Sequence, residues 1–357
     1  MALPSTGYAT ATVNTPSSAL SDFTLAVDLS TMPASWWSAV DTSDGTKGRA
    51  AKDAGPTELA ADWIDFDDTA GTGWLRVKWD GTLASTGTQT LRIYPPKSAN
   101  ASYAAGDTYG SNNAYDTSWE GYWPLHDLND RTSHDLNLTA NGGVTVGGTT
   151  GKVGKATDFD GSNDNLSVTL TWADNQQVTV LYWNNVASSQ IQQSNAFGVV
   201  GGSGSSDRLH SHSPWSDGNI YWDYGNFNGS GRISTSYSAM LNKWSHVGLV
   251  SEGEGGSYKA IFFDGSEETS STSSDGPDGI TSREFAIGTV PQRPEYHRGK
   301  IEDFQLHSTR RSAGWISHEY DQTNDNSTFW GTWTWNSSTT TGPIGGANRR
   351  RRVLIGA

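Results

Sequence analysis

Apolar residues in this chain recur mostly at every second position. Phe23, Leu25, Val27 and Leu29 are spaced by Thr24, Ala26 and Asp28, as in a half-buried strand. Leu75, Val77 and Trp79 repeat the pattern, with Arg76 and Lys78 on the opposite side. Leu91-Arg92-Ile93-Tyr94 is a third such run, stopped by Pro95-Pro96. Further along, Val247 and Leu249 share a strand face, as do Tyr258, Ala260 and Phe262. Helical spacing stands out in one place, where Ser312 offers an N-cap ahead of Trp315, Ile316, Glu319 and Tyr320. The pattern predicts an all-β chain with one short helix.

The punctuation between these runs divides the chain. Residues 1–20, rich in Ser, Thr, Ala and Pro, read as an extended arm, and residues 21–97 as a β-sandwich domain. Residues 98–118 are small and polar and read as a linker. A second β-rich block occupies residues 119–322, and residues 323–357 form a Ser/Thr/Gly-rich tail punctuated by Trp330, Trp333 and Trp335.

Composition sharpens the fold class. Only 34% of the 357 residues are hydrophobic, yet there are 41 Gly and 16 Trp, which suits short strands and frequent turns. The formal charge of -14 argues against broad nucleic-acid binding, which needs a basic surface. With no cysteine, disulfides, thiolate metal sites and cysteine nucleophiles are excluded together. Met1 to Gly7 show neither a basic n-region nor an apolar h-region, and no apolar run is long enough to span a bilayer. An extracellular-looking composition without an export signal fits an outer protein of a virus particle, made in the host cytoplasm and released by lysis.

The second block resembles the laminin-G-like (concanavalin A-like) jelly-roll family. The resemblance rests on four ordered segments: Gly121-Tyr122-Trp123-Pro124-Leu125-His126-Asp127, the turn from Gly151 to Asp164, Trp244-Ser245-His246-Val247 with Phe263-Asp264-Gly265, and Gly299 to Leu306 followed by the helix at Ser312. The first block is similar to a domain that often precedes laminin-G modules in bacterial and phage surface proteins, through Phe23 to Leu29, Thr57-Glu58-Leu59, Gly73 to Val77 and Leu91 to Tyr94. The resemblance implies two stacked antiparallel sheets, with function on the loops or on one sheet face.

Catalysis finds little support. A retaining glycosidase needs two carboxylates ~5 Å apart. Asp62 to Asp68 lies in the first block, and Glu302-Asp303 points to opposite sheet faces, so both read as solvated strand residues. Asp158, Asp160 and Asp164 surround a glycine turn and offer oxygen ligands for Ca²⁺, without the spacing or closing Glu of an EF-hand. The resemblance makes that turn structural, with Phe159 in the core and Asp160-Gly161 at a hairpin corner. His210 and His212 share a strand face but need a third zinc ligand, for which Asp207 and Asp217 are the nearest guesses. Exposed loop histidines are the simpler reading.

The segment from Asp207 to Asn228 carries the strongest binding signal. Trp215, Tyr221, Trp222, Tyr224 and Phe227 alternate with Asp217, Asn219, Asp223, Asn226 and Asn228. Aromatic faces stack on sugar C–H groups, and Asp and Asn side chains hydrogen-bond hydroxyls. Trp215, Asp217, Tyr221, Trp222, Tyr224 and Asn226 are therefore the expected glycan-binding set. In the tail, Arg349, Arg350, Arg351 and Arg352 precede Val353-Leu354-Ile355, a strand-like end able to add to a neighbour's sheet while the arginines pair with its carboxylates.

The expectation is a non-enzymatic virion surface protein of a tailed phage, on capsid or tail, oligomeric, touching other virion proteins and host surface polysaccharide. A cellular lectin or adhesin is the alternative, and a glycoside hydrolase a more remote one.

Overall fold

The computed structural model describes residues 3–4, 7–201, 207–293 and 295–337. The chain is built almost entirely of antiparallel strands. In the first domain, a five-stranded sheet runs in the order Thr334–Asn336, Tyr8–Thr12, Thr90–Tyr94, Arg49–Lys52, Glu58–Leu59. A three-stranded sheet, Thr24–Asp28, Thr72–Lys78, Ala61–Asp67, shares a core with it. The predicted apolar face is buried, with Phe23, Leu25, Val27, Leu29, Leu75 and Val77 all sealed. The expected half-burial fails: Thr24, Ala26 and Arg76 on the opposite side are buried as well, because other parts of the chain cover that face.

Both ends of the chain depart from the expectation. Tyr8–Thr12, expected as an extended arm, is an inner strand of the five-stranded sheet, because Ala9, Ala11 and Val13 alternate inward beneath the Ser/Thr composition. Residues 323–337 are not a free tail. Trp330 and Trp333 join the first core, and Thr334–Asn336 pairs with Tyr8–Thr12. The linker is also packed: the Tyr103 ring lies 4.0 Å from the Arg49 guanidinium, Ala114 is buried, and Tyr115 donates to Asp62 at 2.7 Å.

The second domain is a two-sheet jelly roll. One sheet runs Thr145–Thr150, Lys155–Asp160, Arg298–His307, Val178–Asn185, Trp244–Ser251, Lys259–Phe263, Ser266–Ser271, with Trp119–Trp123 also paired to Arg298–His307. The other runs Thr139–Asn141, Asn165–Trp172, Ile280–Ile287, Phe197–Val200, Asp207–His212, Asn219–Asn226, Arg232–Ser236. Trp123, Phe159, Tyr182, Phe197, Trp222 and Phe304 meet in the core between them. The four segments that carried the resemblance all fall on paired strands or their turns.

The helix Ala313–Asn324, capped by Ser312 Oγ accepting from Trp315 N at 3.2 Å, joins the domains. Its Gln322 amide accepts from Ala26 N and donates to Thr24 O, and Asn326 accepts from Asp28 N and donates to Ala26 O. These amides stand in for a neighbouring strand along the otherwise unpaired edge of Thr24–Asp28. Under them lies a buried charge cluster. Arg76 donates to Asp303 and Glu319 at 2.8 Å each, and Tyr122 OH donates to Asp303 at 2.6 Å. Glu302 and Asp303, expected as solvated, are therefore interior: one sits under the Gly151 turn and the other on Arg76.

Candidate functional site

Three consecutive antiparallel strands at one edge of the second domain, Asp207–His212, Asn219–Asn226 and Arg232–Ser236, carry the polar chemistry. Their alternation sends Leu209, Ile220, Trp222 and Tyr224 into the core. Arg208, His210, His212, Tyr221, Asp223 and Arg232 are left on the other face. The register sets His210 opposite Asp223 and Asp223 opposite Arg232. Opposed side chains in such pairs touch. Gly198 lies across from His210 with φ +151°, and any Cβ there would fall 2.1 Å from the His210 Cβ. A glycine is what lets the two strands approach this closely at His210.

Asp223 is the hub. Arg208 Nη1 donates to its Oδ2 at 2.8 Å, Arg232 Nε to its Oδ1 at 2.6 Å, and His210 Nε2 lies 2.9 Å from Oδ2. Burial opposes ionisation of this carboxyl, but the hydrogen bond from Arg232 and the neighbouring His210 outweigh it and hold its pKa well below the usual range. Burial also pushes His212 down to about 3, with His210 adding to the effect, so this imidazole is neutral at physiological pH. His212 Nδ1 faces Ser194 O at 3.1 Å, which fixes that nitrogen as the donor.

Above this floor is an open groove of about 280 Å³. Trp215, Tyr221 and Phe227, all half-buried, line it together with Arg208, Arg232 and Arg293. Rings and guanidiniums interleave. His212 packs against Trp215 in a tilted pair with ring centroids 4.3 Å apart, Arg208 lies 3.8 Å from the Phe227 centroid, and Arg232 lies 4.9 Å from those of both Tyr221 and Phe227. Tyr221 OH donates to Asp217 at 2.6 Å, and this fixes the phenol at the rim.

The expected glycan set divides. Trp215 and Tyr221 line the groove, as does Phe227, and Asp217 is tied to it through the Tyr221 hydroxyl. Trp222 and Tyr224 do not: both are fully buried, with Trp222 Nε1 donating to Val250 O and Tyr224 OH accepting from Trp172 Nε1. The burial of Ile220 settles which face turns inward, and Trp222 and Tyr224 share its parity. Asn226 sits at the strand end, where its amide N donates to Asp275 and its side chain accepts from Asn228 N. Arg208, Arg232, Arg293 and His212 were missed as lining residues. Their signal, cations at strand spacing beside the aromatic run, was present but needed the register to be read.

His210 and His212 are not exposed loop residues but buried ones on a strand. The carboxylate that joins them is Asp223 rather than Asp207 or Asp217, with the three ligand atoms within 4.8 Å of one another. The donor set suits a metal such as zinc, but Arg208 and Arg232 already occupy Asp223, and Arg208 Nη1 lies 3.3 Å from His210 Nε2. A cation there would meet two guanidiniums at contact range. At the calcium candidate, Asp160 Oδ1 accepts from Ser162 and Asn163 N, Asp164 Oδ2 accepts from Asp160 N, and Asp158 points outward from its strand. Those carboxylates brace the hairpin corner at Gly161, φ +80°, and Phe159 is in the core. The arginine run 349–352 and residues 353–355 lie outside the described residues.

A larger cleft of about 750 Å³ runs between the domains, walled by Asp65, Asp67 and Asp68 on one side and Lys152 and Lys155 on the other. Its aromatic lining is Phe66 and Trp74. Among the described residues, no helix is long and apolar enough to cross a membrane.

No curated protein matches the chain in sequence. Among solved structures it is similar to the ligand binding domain of botulinum neurotoxin serotype D in complex with N-acetylneuraminic acid, at 17% identity and TM-score 0.45, over 57% of this chain and 50% of that one. It is also similar to domain 4 of AbnA, a GH43 extracellular arabinanase from Geobacillus stearothermophilus, in complex with arabinotriose, at 16% identity and TM-score 0.43, over 56% of this chain and 97% of that one. The match thus spans about half the length of the neurotoxin domain. Residues 135–317, just over half of the 357, match the Laminin_G_3 family, and the chain belongs to the concanavalin A-like lectin/glucanases superfamily.

Proposed function

We propose that the second domain binds carbohydrate in the groove between Trp215, Tyr221 and Phe227, and that the protein is a non-enzymatic surface module. The observation that carries this is the convergence of three half-buried aromatic faces on one open groove of a lectin-type jelly roll. Rings held this way offer flat apolar surface to the C–H face of a pyranose, and Asp217 at the rim offers acceptors to its hydroxyls. The carboxylates support binding rather than hydrolysis. Asp223 is saturated by Arg208 and Arg232, and Glu302 and Asp303 are interior, so neither set offers the open carboxyl pair a glycosidase uses.

The setting we propose is the outside of a tailed-phage particle, on capsid or tail, facing host polysaccharide. The cysteine-free composition and the resemblance of the domain pair to phage surface proteins support it. Mass spectrometry of purified particles at fixed copy number is the check, and particles lacking the chain would move the module to a cell surface.

The binding site is tested on a glycan array followed by titration of the best ligand. Trp215→Ala is expected to weaken that ligand at least tenfold while circular dichroism stays unchanged, since Trp215 is outside both cores. A wild-type protein that binds no glycan, or a variant that binds as well as wild type, would overturn the proposal.

A further inference from the structure

We infer that the saccharide taken by this groove carries a fixed negative charge, as a carboxylate or a sulfate ester. The inference rests on the carbohydrate-binding reading above and names its ligand class.

The body of the protein is acidic, at a formal -14, yet three arginines converge on one groove of about 280 Å³. Among the described residues, the carboxylates at hand do not use up the donors of Arg232 and Arg293. Asp223 accepts from Arg208 Nη1 and from Arg232 Nε and Nη2, which leaves the Nη1 amine of Arg232 without an acceptor among the described residues. The Arg293 guanidinium lines the groove with no hydrogen bond or ion pair among the described residues, and Glu295 is turned to the Asn195 amide at 3.2 Å. Arg232, whose side chain is 29% exposed, is therefore anchored at one edge of its fork and open at the other.

The arrangement is rigid as well as cationic. Arg208 is stacked on Phe227, and Arg232 lies beside Tyr221 and Phe227, so little side-chain freedom remains to be lost on binding. Guanidinium forks held in this way suit planar or tetrahedral oxyanions, with two parallel N–H donors per anion. A neutral sugar offers these cations only neutral hydroxyl oxygens, whereas a carboxylate or sulfate gives charge-assisted hydrogen bonds, which are shorter and stronger. Guanidiniums lie against the aromatic rings at this groove, so a pyranose stacked on Tyr221 places a ring substituent near Arg232.

The test is an array on which uronic-acid, nonulosonic-acid and sulfated oligosaccharides stand beside their carboxyl-reduced or desulfated forms, followed by titration of the best pair at two salt concentrations. The charged member is expected to bind at least tenfold more tightly, with the preference shrinking as salt rises. Arg293→Gln is expected to remove most of that preference, weakening the charged member far more than the neutral one. Because Arg293 takes no part in the Asp223 cluster, this variant keeps the fold. Arg232→Gln gives a second reading of the same preference. Equal affinity for charged and neutral members, or a preference untouched in both variants, would overturn the inference while leaving carbohydrate binding standing. No binding to any member overturns the carbohydrate reading itself, and with it this one. Which charged class binds identifies carboxylate or sulfate.

Discussion

Two arginine clusters in this protein use the same partners to opposite ends. At the domain junction, one guanidinium, Arg76, meets two carboxylates, Asp303 and Glu319, and all three are sealed from water. At the groove, one buried carboxylate, Asp223, meets two guanidiniums, with Arg293 nearby and the lining Glu295 turned to the Asn195 amide, and the cluster opens to solvent on one side. Where carboxylates outnumber guanidiniums and Tyr122, Gln305 and Gln322 fill the remaining lone pairs, nothing is left for a ligand. Where guanidiniums outnumber carboxylates, donors are left over. The ratio of donors to acceptors, more than burial alone, separates a structural ion cluster from a binding one.

That contrast can be broken most forcefully at Arg76. Arg76→Ala strands Asp303 and Glu319 as buried charges and is expected to cost about 3–5 kcal/mol, read by denaturant unfolding. An effect below 1 kcal/mol would mean that the junction cluster is not structural. A smaller effect is expected beside it, at Glu302. Burial raises this carboxyl to about 8, although the amide N–H groups of Lys152 and Val153 donate to it. A raised folded-state pKa gives stability that is complete below the ordinary value of 4.5 and lost as pH climbs through about 8. Glu302→Gln keeps the acceptor and removes the titration. The variant should therefore gain on the wild type from pH 5 to about pH 8 in thermal melts and level off above it, and a constant difference across that window would contradict the burial effect. At the groove the ordering inverts. Arg293→Gln should change stability by no more than about 0.5 kcal/mol, yet lose at least tenfold in affinity for the charged saccharide. A large stability loss there would make the groove arginines structural and erase the comparison.

Much of the fold was legible in the sequence because period two is a local signal. The strands at Phe23–Leu29 and Leu75–Trp79 and the Ser312 cap follow from neighbouring residues alone, and so does the all-β class. The chain ends were not legible in this way. Ala9, Ala11 and Val13 are too small to stand out as a buried face, and the pairing of Thr334–Asn336 with Tyr8–Thr12 joins residues more than three hundred positions apart. The same limit divided the candidate site. Trp215, Asp217 and Tyr221 were found by composition, but parity alone could not say which face of Asn219–Asn226 would be buried, so Trp222 and Tyr224 were grouped with them. The sequence by itself determined the strand periods, the helix cap, the cysteine-free chemistry and the acidic body, since each depends on residue type and short spacing. Only the tertiary structure decided which strands became neighbours. Cross-strand register, set by burying one face of every strand at once, is what brought Arg208, Asp223 and Arg232 together.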